Sequence, residues 1–106
     1  MAIIGAGLIG SEFANDLALG GLEVQVIAPD EQLMPGLLPA QVAAPVQAAL
    51  AELGVRFHLG RSVVGAQAAG EGLVLELDDG SQLEADLVLS AIGLLANTAL
   101  AQDAGL

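Results

Sequence analysis

The chain of 106 residues has no cysteine, no tryptophan and no tyrosine, and only two of its residues are basic. Without cysteine there is no disulfide, no thiol nucleophile and no thiolate metal site. Phe13 and Phe57 are the only aromatics, so the core has to be aliphatic, built from Leu, Val, Ile and much Ala. Thirteen acids against Arg56 and Arg61 give a formal charge of −11. Such a surface repels polyanions, which argues against nucleic acid and anionic membrane as partners. The longest apolar runs, such as Leu87 to Ala91, are broken well short of a membrane span. No basic region precedes an apolar stretch at the start, so no signal peptide is expected. These absences together lead to the expectation of a soluble, cytoplasmic protein. No Ser/His/Asp arrangement and no metal-ligand cluster is visible, so no catalytic residue and no metal ligand is assigned.

The length suits one domain covering residues 1–106. Residues 2–5 read as the tail of a buried strand whose upstream part is expected outside this chain. A helix follows from Leu8 to Leu19, with Ile9, Phe13 and Leu17 recurring on one apolar face and Gly20-Gly21 as its stop. Residues 23–28 form a second strand, closed by Pro29, which completes a right-handed βαβ unit with parallel strands. Pro35, Gly36 and Pro39 mark a loop. The next helix ends near Leu53. A proline inside a helix costs about 3 kcal/mol and at its first position costs little. That helix is therefore expected to begin near Pro45, with residues 40–44 as a separate turn. Val55 to Leu59 is a third strand, and residues 63–68 and 72–78, with the hairpin dipeptide Asp79-Gly80, form an antiparallel addition. Residues 86–91 are a last buried strand leading into Ile92-Gly93. The fold class is α/β: a Rossmann-like parallel sheet with helices and an added antiparallel β-meander.

Gly5-Ala6-Gly7-Leu8-Ile9-Gly10 matches G-x-G-x-x-G. The pattern is weak alone, but here it follows a strand and opens a helix within a βαβ unit, the setting of dinucleotide binding. Gly5 permits the tight turn, Gly7 lets a pyrophosphate approach the backbone, and Gly10 lets the helix pack on the strand. The competing reading is a glycine-rich turn that only packs. The acid expected to hold the adenosine ribose belongs at the end of the second strand, yet that position is Ala28. Asp30 and Glu31 lie just beyond it and either reach back to the ribose or simply face water. No Arg or Lys is expected near enough to receive a 2′-phosphate, so NAD(H) is preferred over NADPH. Glu12 reads as a first-turn carboxylate favoured by the helix dipole. His58, the only histidine, reads as a structural residue.

Three segments occur together in order: Gly5 to Asn15, the Asp79-Gly80 hairpin, and Ala91-x-Gly93-x-x-x-Asn97-Thr98. They resemble the NAD(H)-binding domain of the FAD-dependent pyridine nucleotide–disulfide oxidoreductases, and residues 28–38 resemble the rubredoxin reductase branch. The resemblance implies a domain set within a larger flavoprotein, where NADH reduces FAD and electrons pass to a redox acceptor such as rubredoxin. It also implies that Glu12 faces the nicotinamide carboxamide and that Ile92 and Gly93 line that end of the site. Leu8 stands where the family often has an aromatic ring over the nicotinamide, Ala28 replaces its strand-end Glu, and Ala96 replaces its Pro. The chain has no fingerprint for FAD, so the FAD domain is expected as a partner outside it. Left open are a nucleotide-fold scaffold or regulatory domain without catalysis, and an FAD- or NADPH-binding domain.

Overall fold

A computed structural model describes all 106 residues. Short β-rich stretches are cut by glycines and prolines into two sheets. Strands β1 (Ala2–Ile4), β2 (Gln25–Ala28), β3 (Arg56–Leu59) and β7 (Val88–Ser90) form one sheet in the order β3-β2-β1-β7. All its pairings are parallel, with Ile3 opposite Val26 and Leu89, and Val26 opposite Phe57. Strands β4 (Val63–Ala69), β5 (Gly72–Leu77) and β6 (Gln82–Ala85) form the antiparallel meander. The α/β fold expected from the sequence is therefore present, and no helix is long and apolar enough to cross a membrane.

The period of two along each strand divides the core into layers. Ile3, Val26 and Ala28 face the helices and pack with Ala14, Val24, Leu33, Leu50 and Val55. Ala2 and Ile27 face the other way and pack on Leu75, Leu77 and Ala85 of the meander. Gln25 lies on the meander side and is almost fully buried, at 8% exposure. Its amide group donates to the Glu84 carbonyl at 3.2 Å, and its oxygen lies 3.1 Å from His58 Nε2. The two sheets are thus joined by a polar bridge as well as by apolar packing.

Helix α1 (Leu8–Leu19) has the bounds expected, but not the expected inner face. Its buried residues are Gly10, Ser11 and Ala14, with Leu17 and Ala18 packed beside them, while Ile9 and Phe13 are about half exposed. The helix lies so close to the β1 turn that small residues fit beneath it and the larger ones turn outward. Helix α2 runs unbroken over Ala40–Glu52 with Pro45 inside it, which overturns the expected start at Pro45. Pro39 caps it, its carbonyl accepting from Val42 N at 2.9 Å and Ala43 N at 3.0 Å. The proline removes the donor that would meet the Gln41 carbonyl, but Gln41 and Pro45 are exposed, so water can satisfy that group. The alanine-rich sequence around Pro45 has the highest helix propensity and sustains the helix across the gap. A short helix α3 (Ala99–Asp103), not expected from the sequence, follows the last strand.

Candidate functional site

Ligands of open parallel sheets bind outside the carboxyl ends of the strands. Here that edge carries the turn from β1 into α1, the loop after β2, the loop after β3 and the segment after β7. Gly5 adopts φ +114°, and a Cβ there would run into the Ala91 carbonyl. Its N–H donates to Ile27 O at 2.8 Å and Ala91 N–H donates to Ile4 O at 2.7 Å, so the turn is fixed to both neighbouring strands. A Cβ at Gly10 would run into the Gly5 carbonyl, which is why the helix can start directly on the strand. Gly7 differs from both: a Cβ there would meet nothing within 4 Å.

Gly7 is the N-cap of α1 and supplies no side-chain cap. Its carbonyl receives Ser11 N at 3.0 Å, the first helical bond, while the amides of Leu8, Ile9 and Gly10 have no backbone acceptor. These orphan donors and the positive end of the helix dipole form an anion cradle of backbone alone. The open space at Gly7 is where a phosphate group could come close, so the turn fits a dinucleotide pyrophosphate. Two contacts that were not read from the sequence brace it. The Ala6 carbonyl accepts Met34 N–H at 2.7 Å and Ser11 Oγ–H at 3.4 Å.

Glu12 is exposed and lies beyond the first turn, which contains no acid. The expected dipole contact is therefore corrected, because that effect fades within one turn. Glu12 instead lines a hollow of about 470 Å³ between α1 and α2, shared with Leu8, Met34 and Val46. Ile92 is 77% exposed beside Gly93, at φ +106°, after the end of β7. A larger hollow of about 960 Å³, lined among others by Met1, Glu23, Arg56 and Asp86, opens at the opposite, amino-terminal edge. It lies away from the glycine turn.

At the end of β2, Ala28 is 1% exposed and packed in the helix-side core. Asp30 and Glu31 are exposed. The loop after β3 lies against this strand end: Arg61 N donates to Ala28 O, and Gly60 N to Asp30 O, each at 3.0 Å. The expectation that no basic residue lies near this strand end is thus corrected. Sequence distance hid a neighbour that parallel pairing of β2 with β3 brings alongside. Arg61 is already engaged, however. Its Nε donates to Asp79 Oδ2 at 2.9 Å, and its Nη1 to the Gly60 carbonyl at 2.9 Å. Asp79 also accepts from Ser81 Oγ at 2.6 Å and Ser81 N at 3.0 Å. The Ser81 bonds, with Arg61 assisting, hold its carboxyl down at about 2. His58 is held below its ordinary range by burial first and by Arg56 second, with Asp79 pulling the other way. Its partner is Gln25 and it lies away from the cradle, in keeping with a structural role.

All 106 residues match the family model described as pyridine nucleotide-disulphide oxidoreductase. The chain belongs to this family. It is 50% identical, over its full length, to a rubredoxin-NAD(+) reductase of Alcanivorax borkumensis, of which it spans 28%. Among solved structures, the ferredoxin reductase for the CYP199A2 system of Rhodopseudomonas palustris superposes with a TM-score of 0.91 at 31% identity. That match covers 98% of this chain and 26% of the other. The water-forming NADH oxidase of Lactobacillus brevis, solved with NADH, gives 0.89 at 29% identity, over 96% of this chain and 22% of the other. An FAD-dependent member from Desulfovibrio vulgaris gives 0.87 at 34% identity, over 98% and 26%. The family is thus one of FAD- and NAD(H)-dependent oxidoreductases, and this chain spans about a quarter of the length of these relatives.

Proposed function

We propose that this chain is the NADH-binding module of a cytoplasmic FAD-dependent oxidoreductase of the rubredoxin or ferredoxin reductase kind. The observation that carries the reading is the uncapped start of α1, where three unpaired amides border open space at Gly7. Gly5, Gly7, Leu8, Ile9 and Gly10 hold the pyrophosphate. Asp30 or Glu31 meets the adenosine ribose in place of the side chain that Ala28 lacks. Glu12, Ile92 and Gly93 border the nicotinamide. When bound, NADH supplies a hydride; the chain's own residues bind and orient it and provide no acceptor. The chain carries a single glycine fingerprint, the one assigned to NADH, so FAD belongs to residues outside it. Leu8, Ile9 and Phe13 on α1, and Ile92, Leu94 and Leu95 after β7, are at least about half exposed, and offer the FAD domain an apolar surface. The electron acceptor, rubredoxin or a similar carrier, engages those other parts.

Calorimetric titration with NAD⁺, NADH and NADPH tests the reading directly. NADH should bind, and more tightly than NADPH, because Asp30 and Glu31 repel a 2′-phosphate. Absence of NADH binding, or equal binding of NADPH, would overturn it. The chain alone should be colourless and should not oxidise NADH with ferricyanide. Turnover by this flavin-free chain that Gly7→Val abolishes would mean that it contains an acceptor site.

A further inference from the structure

The two cations of the chain stand at opposite edges of the parallel sheet. Arg56 begins β3, with its guanidinium 3.9 Å from Glu23 at the amino-terminal edge. Arg61 follows β3 at the carboxyl edge, where its own backbone bonds the end of β2. Its Nη1 is tied to the Gly60 carbonyl, and Gly60 N–H is tied to Asp30. The guanidinium is therefore linked through Gly60 to the loop after β2, the segment where the adenosine ribose belongs. Its fork could take a 2′-phosphate in two parallel bonds, the arrangement that makes arginine the common reader of such a group.

Nε and Nη1 are both occupied, and Asp79 cancels the charge. Asp79 is itself held in place by two bonds from Ser81 within the turn that joins β5 to β6. With Arg61 neutralised, the local field is left to Asp30 and Glu31, both exposed. We infer that Asp79 is a specificity-determining residue: by clasping Arg61 it withholds the only nearby cation from a 2′-phosphate and sets the preference for NADH over NADPH. This rests on the reading of the chain as an NADH module. It adds to that reading a determinant on the meander, outside the βαβ unit that contacts the dinucleotide.

Asp79→Asn tests the clasp with little disturbance of the turn. The amide oxygen still accepts from Ser81, while its NH₂ replaces the carboxylate oxygen that faced Nε and sets donor against donor. The intact protein carrying this chain is titrated with NADH and NADPH at low ionic strength, and the ratio of the two affinities is read. In Asp79→Asn the ratio should move toward NADPH by about tenfold, because the released guanidinium can form a charge-assisted bond to the 2′-phosphate. It should return to the starting value in Asp79→Asn combined with Arg61→Gln. Asp79→Ser, whose hydroxyl can also accept from Ser81 N–H, gives an independent second measure of the same ratio. An unchanged ratio in both single variants, with NADH still bound, would overturn the clasp and leave the module reading intact. So would a shift toward NADPH that persists without Arg61, since it would not depend on the released guanidinium. Failure of the unsubstituted protein to bind NADH would remove both.

Discussion

The carboxyl edge of the parallel sheet handles negative charge in two ways. At the β1–α1 turn the means are backbone amides, a helix end and the absence of side chains from Gly5, Gly7 and Gly10. At the β2 and β3 ends they are side chains: two exposed acids and one arginine already paired with Asp79. The first site needs residues adjacent in sequence and takes its shape from sterics, so it is rigid and indifferent to pH. The second assembles groups from three separate loops, and single charge changes can retune it. Under the proposed function, the glycine turn would serve the part common to all dinucleotides, and the side-chain site the part that distinguishes them.

The first way to break this comparison is to add atoms where the turn admits none. Gly10→Val would drive its side chain into the Gly5 carbonyl and should cost about 3 kcal/mol of stability. Urea unfolding measures the loss; an unchanged midpoint would mean that α1 does not rest on the turn. The backbone should also reward relief. Pro45→Ala restores the donor for the Gln41 carbonyl in α2 and should stabilise by about 1–2 kcal/mol, read in the same experiment. A destabilised variant would show that the proline ring packs usefully.

Gly7→Val separates binding from folding. Gly7 has φ −71° and ψ −170°, which any residue adopts, and the space around it is open. Its melting temperature should hold while NADH affinity falls at least about tenfold, or about 1.4 kcal/mol. Loss of both together would make Gly7 a structural glycine like its neighbours. The smallest effect concerns pH. Burial keeps His58 below its usual pKa of 6.5, so the unfolded chain takes up a proton more readily. Its contribution to stability is full above pH 6.5 and is lost as pH falls through the lower folded value. Melting temperatures from about pH 8 to about pH 5 should decline as the histidine charges, and His58→Gln should flatten the decline. An identical slope in the variant would assign the effect to other groups.

The same division explains what could be read in the sequence. Helix α1, the glycine turn and the parallel βαβ unit were legible because each is a local pattern of period or spacing. The outward turn of Ile9 and Phe13 was not, because apolar periodicity marks a stripe without saying how closely the helix approaches the sheet. The continuity of α2 through Pro45 depends on solvent reaching one carbonyl, and no residue type announces that. Glu12 follows the glycine motif closely enough to look like a first-turn residue, but the helix starts at Leu8 and places it one turn later. Arg61 and Asp79 are 18 residues apart, and neither lies near Ala28 in sequence. Only the pairing of β2 with β3, and of β4 with β5, brings them to the carboxyl end of β2.

Met34 adopts φ +48°, the only residue other than glycine in the left-handed region. Its N–H nevertheless makes one of the shortest backbone bonds among the turns and loops, 2.7 Å to the Ala6 carbonyl. The loop after β2 therefore grips the middle of the glycine turn at the cost of a strained residue. A turn fixed in this way loses little conformational entropy when a ligand arrives, since its donors already point outward. In hydrogen exchange the Met34 amide should be slow among its loop neighbours and should change little when NADH binds, whereas the free amides of Leu8 and Ile9 should slow sharply.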